Sequence, residues 1–87
     1  TDTIAMGCVK VLKDHSLRIP EDVSVTGFGG YWTSTVMSPA LTTIKFHYAH
    51  AGQMAGQIII DMIEEKEVEN ATLIDFTFIE GESVRSI

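Results

Sequence analysis

The sequence is poor in the residues that mark several classes of protein. Its single cysteine, Cys8, cannot form an internal disulfide, which fits a reducing compartment. Its longest run of bulky apolar residues is the isoleucine triplet at 58–60, whereas a membrane-spanning helix needs about 20 apolar residues, and no signal peptide is visible. Only 6 lysines and arginines stand against 12 acidic residues, so the chain lacks the basic clusters that hold nucleic-acid phosphate. These deficits argue against a disulfide scaffold, a membrane partner and direct DNA binding.

The length and the apolar content indicate one small globular domain. The chain has 87 residues, of which 45% are hydrophobic, and a chain of this size buries only about 60–65% of its unfolded surface. It begins at Thr1 without a methionine, and helical spacing starts almost at once. We therefore expect a piece of a longer protein.

The spacing of the apolar residues predicts an α/β domain. Thr1, Asp2 and Thr3 are three successive N-cap candidates, and the apolar residues after them recur at helical intervals. Pro20 and Pro39 each mark the end of a connecting segment. The stretches that follow them are rich in β-branched residues or alternate between apolar and polar residues. We predict helices over 2–15 and from 47 or 48 to about 65, strands over 23–28, 41–46 and 73–80, and a polar tail over 81–87.

A glycine-rich stretch, GFGG at 27–30, follows the first predicted strand. A dinucleotide-binding loop would have a third glycine and a helix directly after it, whereas Tyr31 and Trp32 follow here. The glycines favour a turn with positive φ angles, and the two aromatic faces suit the C–H face of a sugar ring. Aromatic side chains in a core or an interface are equally common, so the residues leave both interpretations open.

The remaining polar candidates have ordinary explanations. His47 and His50 share a helical face but lack a third metal ligand, so an exposed pair is expected. Cys8 lies on the apolar stripe of the first helix, which predicts a buried small hydrophobe. The acidic residues at 61–67 form a solvated helix end rather than a catalytic carboxylate pair. We expect no metal, no cofactor and no enzymatic activity.

Four stretches resemble the motifs of one protein family. Residues 1–7 (TDTIAMG) are similar to an Asn-Asp-x-x-Ala-x-Gly helix start, and residues 17–28 (LRIPEDVSVTGF) follow an x-IPEDVSVVGFDD segment. Residues 38–44 (SPALTTI) are similar to a PPLTTI strand, and residues 53–65 with 76–83 follow the family's helix and final strand. Together they resemble the C-terminal part of the LacI/GalR family of bacterial transcriptional repressors.

The resemblance implies an α/β effector-binding core of the type I periplasmic-binding-protein kind, with parallel strands and flanking helices. Residues 1–46 would belong to its C-terminal subdomain, residues 47–75 would cross back to the N-terminal subdomain, and residues 76–87 would form the final strand and tail. A helix-turn-helix headpiece outside this chain would bind operator DNA in the cytoplasm. Sugar binding between the subdomains would shift the geometry of a homodimer and so the spacing of its headpieces.

The resemblance also implies which residues face the effector, a small sugar or sugar phosphate. Position 1 is usually Asn and positions 29 and 30 are usually Asp in the family, but here they are Thr1, Gly29 and Gly30. The usual bidentate sugar contact cannot form without those carboxylates, so Tyr31 or Trp32 replaces it or the effector differs. The GFGGY variant itself resembles the sucrose-operon branch. The implied effector-binding residues are Thr1, Gly29, Gly30, Tyr31, Trp32 and Phe46.

Dimer contacts in the family come from the first helix and from the loop before the proline. In this sequence these positions are Met6, Val9, Val36 and Met37, apolar residues whose exposure would otherwise be unfavourable.

Two other classes of protein share parts of this pattern. A periplasmic sugar-binding protein has the same core fold but needs a secretion signal, and the IPEDVSV wording at 19–25 favours the repressor. An α/β enzyme fragment needs a nucleophile or a carboxylate pair in a cleft, and the residues supply neither.

Overall fold

A computed structural model describes all 87 residues and contains three helices and two short strands. The elements are α1 (Asp2–Asp14), α2 (Trp32–Thr35), β1 (Thr43–Phe46), α3 (Tyr48–Ile63) and β2 (Phe76–Ile79), and β1 pairs with β2 in a two-stranded sheet. The two predicted long helices are thereby confirmed. None of the helices is both long and apolar enough to cross a bilayer.

The chain divides into two compact units. One comprises Thr1–Lys45 together with Thr77–Ile87, and the other comprises Phe46–Phe76. These limits lie within two residues of the predicted boundaries after 46 and 75. The assignment of the units to two subdomains of a longer protein stays a prediction.

Helix α1 begins at a side-chain cap and buries a different face from the predicted one. The hydroxyl of Thr1 accepts a hydrogen bond from the Ile4 N–H at 3.4 Å, as expected for an N-cap. The buried face carries Asp2, Ala5 and Val9, whereas Ile4 is 72% exposed and Cys8 is exposed. The prediction of a buried Cys8 is therefore wrong, because the core partners of this helix contact the neighbouring face, which carries Ala5 and Val9.

A small core holds the first unit together. Its members come from α1, the turn at 19, the segment after it and a residue two positions before β1, so four segments meet there. Three further side chains pack against this core while keeping some exposure, namely Leu12, Val23 and Met37. The buried members are Ala5, Val9, Ile19, Val25 and Leu41.

The predicted strand over 23–28 forms only isolated bridges. Its backbone is parallel to the segment leading into β1, with bridges at Thr26–Thr42 and Gly29–Lys45. The Gly29 N–H donates to the Ile44 carbonyl at 2.8 Å. A regular strand is absent from this stretch, and its last residue, Phe28, is 53% exposed.

The residues after β2 are anchored instead of forming a polar tail. Ser83 is fully buried, and its hydroxyl accepts from the Thr42 N–H at 2.9 Å and donates to the Val25 carbonyl at 2.6 Å. The Ser83 carbonyl accepts from the Val25 N–H at 2.9 Å. A side chain thus takes part in pairing two backbone segments, which a hydropathy pattern cannot reveal.

The second unit consists mainly of α3, which has no buried residue. Its apolar stripe includes Ile59, Met62 and Ile63, all well exposed. The predicted strand over 73–80 is shortened to Phe76–Ile79, with Phe76 exposed as well.

Candidate functional site

The predicted effector site includes the glycine-rich turn at 29 and 30. Gly29 has φ 132° and Gly30 has φ 70°, a region that favours glycine. A Cβ atom on Gly30 would also overlap the Lys45 backbone and side chain. The prediction of a positive-φ turn is confirmed, and a second reason for glycine is the close approach of the turn to Lys45 in β1.

A single helical turn presents the two predicted aromatic residues. Tyr31 is the N-cap residue of α2, and the Thr35 hydroxyl donates to the Trp32 carbonyl at 2.6 Å. Trp32 is 75% exposed, whereas Ser34, on the opposite side of this turn, is buried. The segment between the glycine-rich turn and Pro39 thus contains one short helix, and Trp32 points outward from it.

The carboxylate of Asp2 lies beneath this turn and accepts hydrogen bonds from three directions. Its Oδ1 accepts from the Thr43 hydroxyl at 2.6 Å. Its Oδ2 accepts from the Tyr31 N–H at 3.0 Å and from the Ser34 hydroxyl. Asp2 is 0% exposed. A buried charge therefore joins the start of α1, the aromatic turn and β1.

Opposing effects act on the pKa of Asp2, and the hydrogen bonds prevail. Burial alone would raise this pKa, because it disfavours the charged form. The hydrogen bonds from Ser34, Thr43 and the backbone N–H groups of Tyr31 and Gly30 favour the carboxylate, so the pKa lies below its ordinary value. Asp2 is therefore an anion at neutral pH.

The structure brings five of the six predicted effector residues together. Thr1 lies next to Asp2 at the start of α1, and the Asp2 N–H donates to the Phe28 carbonyl at 3.1 Å, which places the start of α1 beside Gly29, Gly30, Tyr31 and Trp32. The Thr1 hydroxyl is engaged as the helix cap. Phe46, the sixth residue, belongs to the second unit, where its ring contacts Tyr48 edge-on with centroids 6.1 Å apart.

The predicted dimer residues have unequal exposure. Val36 is 71% exposed, and Met6 and Met37 line a shallow depression of about 310 Å³. Val9 also borders this depression but is only 5% exposed and belongs to the core. Its side chain is used within the chain itself, so it has little surface left for a partner.

A depression of about 570 Å³ contains none of the predicted effector residues. It lies where the C-terminal end of α1 meets the turn before Pro20. The cationic side chains that line it, Lys13 and Arg18, already make hydrogen bonds within the chain. The Lys13 ammonium donates to the Ser38 carbonyl. Arg18 donates to Asp22 from its backbone N–H at 2.8 Å and from its guanidinium at 2.9 Å, which lowers the pKa of Asp22 to about 2.

The role of Asp2 was not predicted from the sequence. Asp2 is one of three successive N-cap candidates, and Thr1 is the residue that caps the helix. Only the structure shows that Gly27 leaves room for this residue, because a Cβ atom there would overlap the Asp2 carboxylate and Leu41. The absence of a side chain at Gly27 therefore leaves the space that the Asp2 carboxylate occupies.

The comparisons with known proteins agree on one family. Residues 1–84 match the model of the periplasmic binding protein-like domain. The chain is 31% identical to the HTH-type transcriptional regulator RegA of Clostridium saccharobutylicum over 95% of this chain and 25% of RegA. It is 34% identical to the HTH-type transcriptional repressor PurR of Haemophilus influenzae over 99% of this chain and 27% of PurR.

A solved structure agrees with these sequence matches. A LacI-type transcription regulator from Bifidobacterium animalis subsp. lactis superposes with a TM-score of 0.87 at 30% identity, covering 99% of this chain and 31% of the regulator. The chain thus spans about a quarter of the length of the curated relatives it matches.

Proposed function

Because this chain belongs to the periplasmic binding protein-like domain family, we propose that it is the C-terminal part of the effector-binding core of a LacI-type transcriptional repressor. The observation that carries the proposal is the match over residues 1–84. The relatives named above support it, since they carry the names of transcriptional regulators and not of enzymes. The repressor acts in the cytoplasm and binds operator DNA through a helix-turn-helix headpiece outside this chain.

The proposed effector is a small sugar or sugar phosphate that binds beside α2. Trp32 and Tyr31 supply flat apolar faces for a sugar ring, and Thr1, Gly29 and Gly30 border the same place. The nearest carboxylate, Asp2, accepts only from protein donors and is fully buried. Ring stacking, and not the usual carboxylate–hydroxyl contact, then provides recognition on this side of the ligand.

Sucrose is the first sugar to test within this proposal. The GFGGY wording at 27–31, in which glycines replace the usual carboxylates, resembles the sucrose-operon branch of the family. The absence of carboxylate oxygens at 29 and 30 distinguishes this turn from the pattern that chelates a sugar hydroxyl pair.

The proposed repressor is a homodimer that uses the surface near Met6, Val36 and Met37. Met6 and Met37 line one depression, and Val36 lies beside Met37 with most of its side chain exposed. Burial of such apolar surface against a second copy is favourable. The effector changes the balance between two arrangements of the whole repressor and so its affinity for DNA.

Ligand-dependent DNA binding by the full-length protein tests this proposal. The melting temperature is measured with a panel of sugars and sugar phosphates, with sucrose included. Each compound that stabilises the protein is then added to a gel-shift assay with the DNA upstream of its own gene. We expect at least one compound to raise the melting temperature and alter the DNA shift. Turnover of a compound, or stabilisation with no effect on DNA, would contradict the repressor and favour an enzyme or a periplasmic binding protein.

A further inference from the structure

We propose that Asp2 is a positioning residue: it holds the Tyr31–Ser34 turn, and with it the Trp32 ring, in the orientation that binds the ligand, without touching the ligand. This inference rests on the proposed function for the statement that Tyr31 and Trp32 contact a ligand. Its other premises are the burial and the hydrogen bonds of the carboxylate.

The Asp2 carboxylate is closed to a ligand. It is 0% exposed, and each oxygen is occupied: Oδ1 by the Thr43 hydroxyl and Oδ2 by the Tyr31 N–H and the Ser34 hydroxyl. Asp2 is also not the helix cap, since the Thr1 hydroxyl accepts from the Ile4 N–H. Its charge therefore serves contacts inside the chain.

Both ends of α2 depend on this one carboxylate. The helix has four residues, a length at which helical structure has no stability of its own. Tyr31, which precedes its first residue, and Ser34, the third of its four residues, both donate to Oδ2 of Asp2. The direction in which the turn presents Trp32 is thus set by an anchor 29 to 32 residues away in the chain.

The surrounding residues leave room for this anchor. A Cβ atom on Gly27 would overlap the Asp2 carboxylate, and the third donor, Thr43, lies at the first position of β1. The carboxylate consequently fixes the turn relative to α1 and β1 at the same time.

Hydrogen exchange measured by mass spectrometry on the full-length protein tests the inference. Ser34→Ala and Thr43→Val each remove one donor to Asp2, and Thr43→Val keeps the size and shape of threonine. We expect the amides of peptides spanning 31–36 to exchange about tenfold to hundredfold faster in both variants, the range for loss of a hydrogen bond to a charged group. Thr43→Ser keeps the hydroxyl and should retain most of the protection.

Ser83→Ala is the matched control. Ser83 is as buried as Ser34, and its hydroxyl makes two hydrogen bonds, but neither involves Asp2. This variant should be destabilised overall yet accelerate the exchange of 31–36 much less than Ser34→Ala does, because neither hydrogen bond that it loses reaches Asp2. Equal acceleration in Ser83→Ala, or Thr43→Ser behaving like Thr43→Val, would show that Asp2 adds only general stability and would overturn the inference.

Sucrose titration connects the turn to binding. If the wild type binds sucrose, Ser34→Ala and Thr43→Val should weaken its affinity by roughly the factor seen in exchange, and unchanged affinity beside faster exchange would overturn the positioning role. A wild type that binds none of the sugars or sugar phosphates would instead contradict the proposed function. The exchange comparison decides whether Asp2 fixes the turn in either case.

Discussion

The Ser83 hydroxyl donates to the Val25 carbonyl at 2.6 Å across 58 residues of chain. The same hydroxyl accepts from the Thr42 N–H at 2.9 Å, so one buried side chain joins two backbone segments. The last residues of the chain thereby become part of the first unit.

Loss of this hydroxyl should destabilise the protein. Ser83→Ala leaves the Val25 carbonyl and the Thr42 N–H without their partner in a buried place, which costs about 1–3 kcal/mol. Urea unfolding of the full-length protein measures the change. Ser86→Ala, three residues further at an exposed position, should change the unfolding free energy by less than about 0.5 kcal/mol. Equal effects of the two substitutions would contradict a stabilising role for the hydrogen bonds of the Ser83 hydroxyl.

A pair of glycine substitutions should have opposite effects. Gly27→Ala places a methyl group on the Asp2 carboxylate and Leu41, and such overpacking costs about 1–3 kcal/mol. Gly7→Ala lies inside α1 with nothing within 4 Å of the added Cβ, and the higher helix propensity of alanine should stabilise by about 0.5–1 kcal/mol. Thermal unfolding of both variants checks the signs, and a neutral Gly27→Ala would show that the space beside Asp2 is not tight.

Acid should remove the contribution of Asp2 to stability. The folded-state pKa of Asp2 lies below its ordinary value because its hydrogen bonds outweigh its burial. A lowered carboxylate pKa gives stability that is present above the unfolded pKa, about 3.9, and is lost as the pH falls through the folded pKa. Unfolding free energies of the wild type from pH 7 down to pH 2 should therefore decline below about pH 4.

The Asp2→Asn variant identifies the group responsible. It should be less stable at pH 7 and show a shallower decline below about pH 4 than the wild type. Asp22, whose pKa the Arg18 hydrogen bonds lower to about 2, titrates in the same acidic window, so Asp22→Asn is the matched comparison. Because Asp22 is close to the surface, its substitution should change stability less at pH 7. Identical acid profiles for the wild type and Asp2→Asn would contradict the assignment.

Trp32 should contribute to affinity for any sugar that binds. Trp32→Ala removes the most exposed aromatic face beside the turn and should weaken binding about 10- to 100-fold, whereas Trp32→Phe keeps a flat ring and should lose less. Calorimetric titration with a binder from the sugar panel measures this. Val11→Ala, an exposed apolar truncation on α1, is the control, and an unchanged affinity in Trp32→Ala would remove Trp32 from the site.

A charge at Val36 should weaken the proposed homodimer. Val36 is 71% exposed, so Val36→Glu should leave the fold intact while placing a charge in the proposed apolar contact. Sedimentation velocity of the full-length protein should show a larger monomer fraction. Val11→Glu, at another exposed apolar position on α1, should leave the dimer unchanged, and dissociation by both variants alike would contradict the proposed surface.

Local sequence patterns specified the two long helices of this chain but not the contacts between its segments. Periodicity and capping residues placed α1 and α3 to within about two residues, because backbone hydrogen bonding, side-chain caps and apolar spacing are interactions of near neighbours. The positive φ angles of Gly29 and Gly30 followed from the same kind of local reasoning.

Tertiary packing decided which residues of these elements are buried, because burial depends on contacts between residues distant in the chain. The buried face of α1 passes through Val9 rather than Cys8 because its core partners come from other segments. Asp2 and Ser83 looked like an ordinary helix start and a polar tail, yet each is fully buried. Such polar residues can be buried only where several backbone and side-chain donors or acceptors converge, and residues 29 to 58 positions apart meet only in the folded chain.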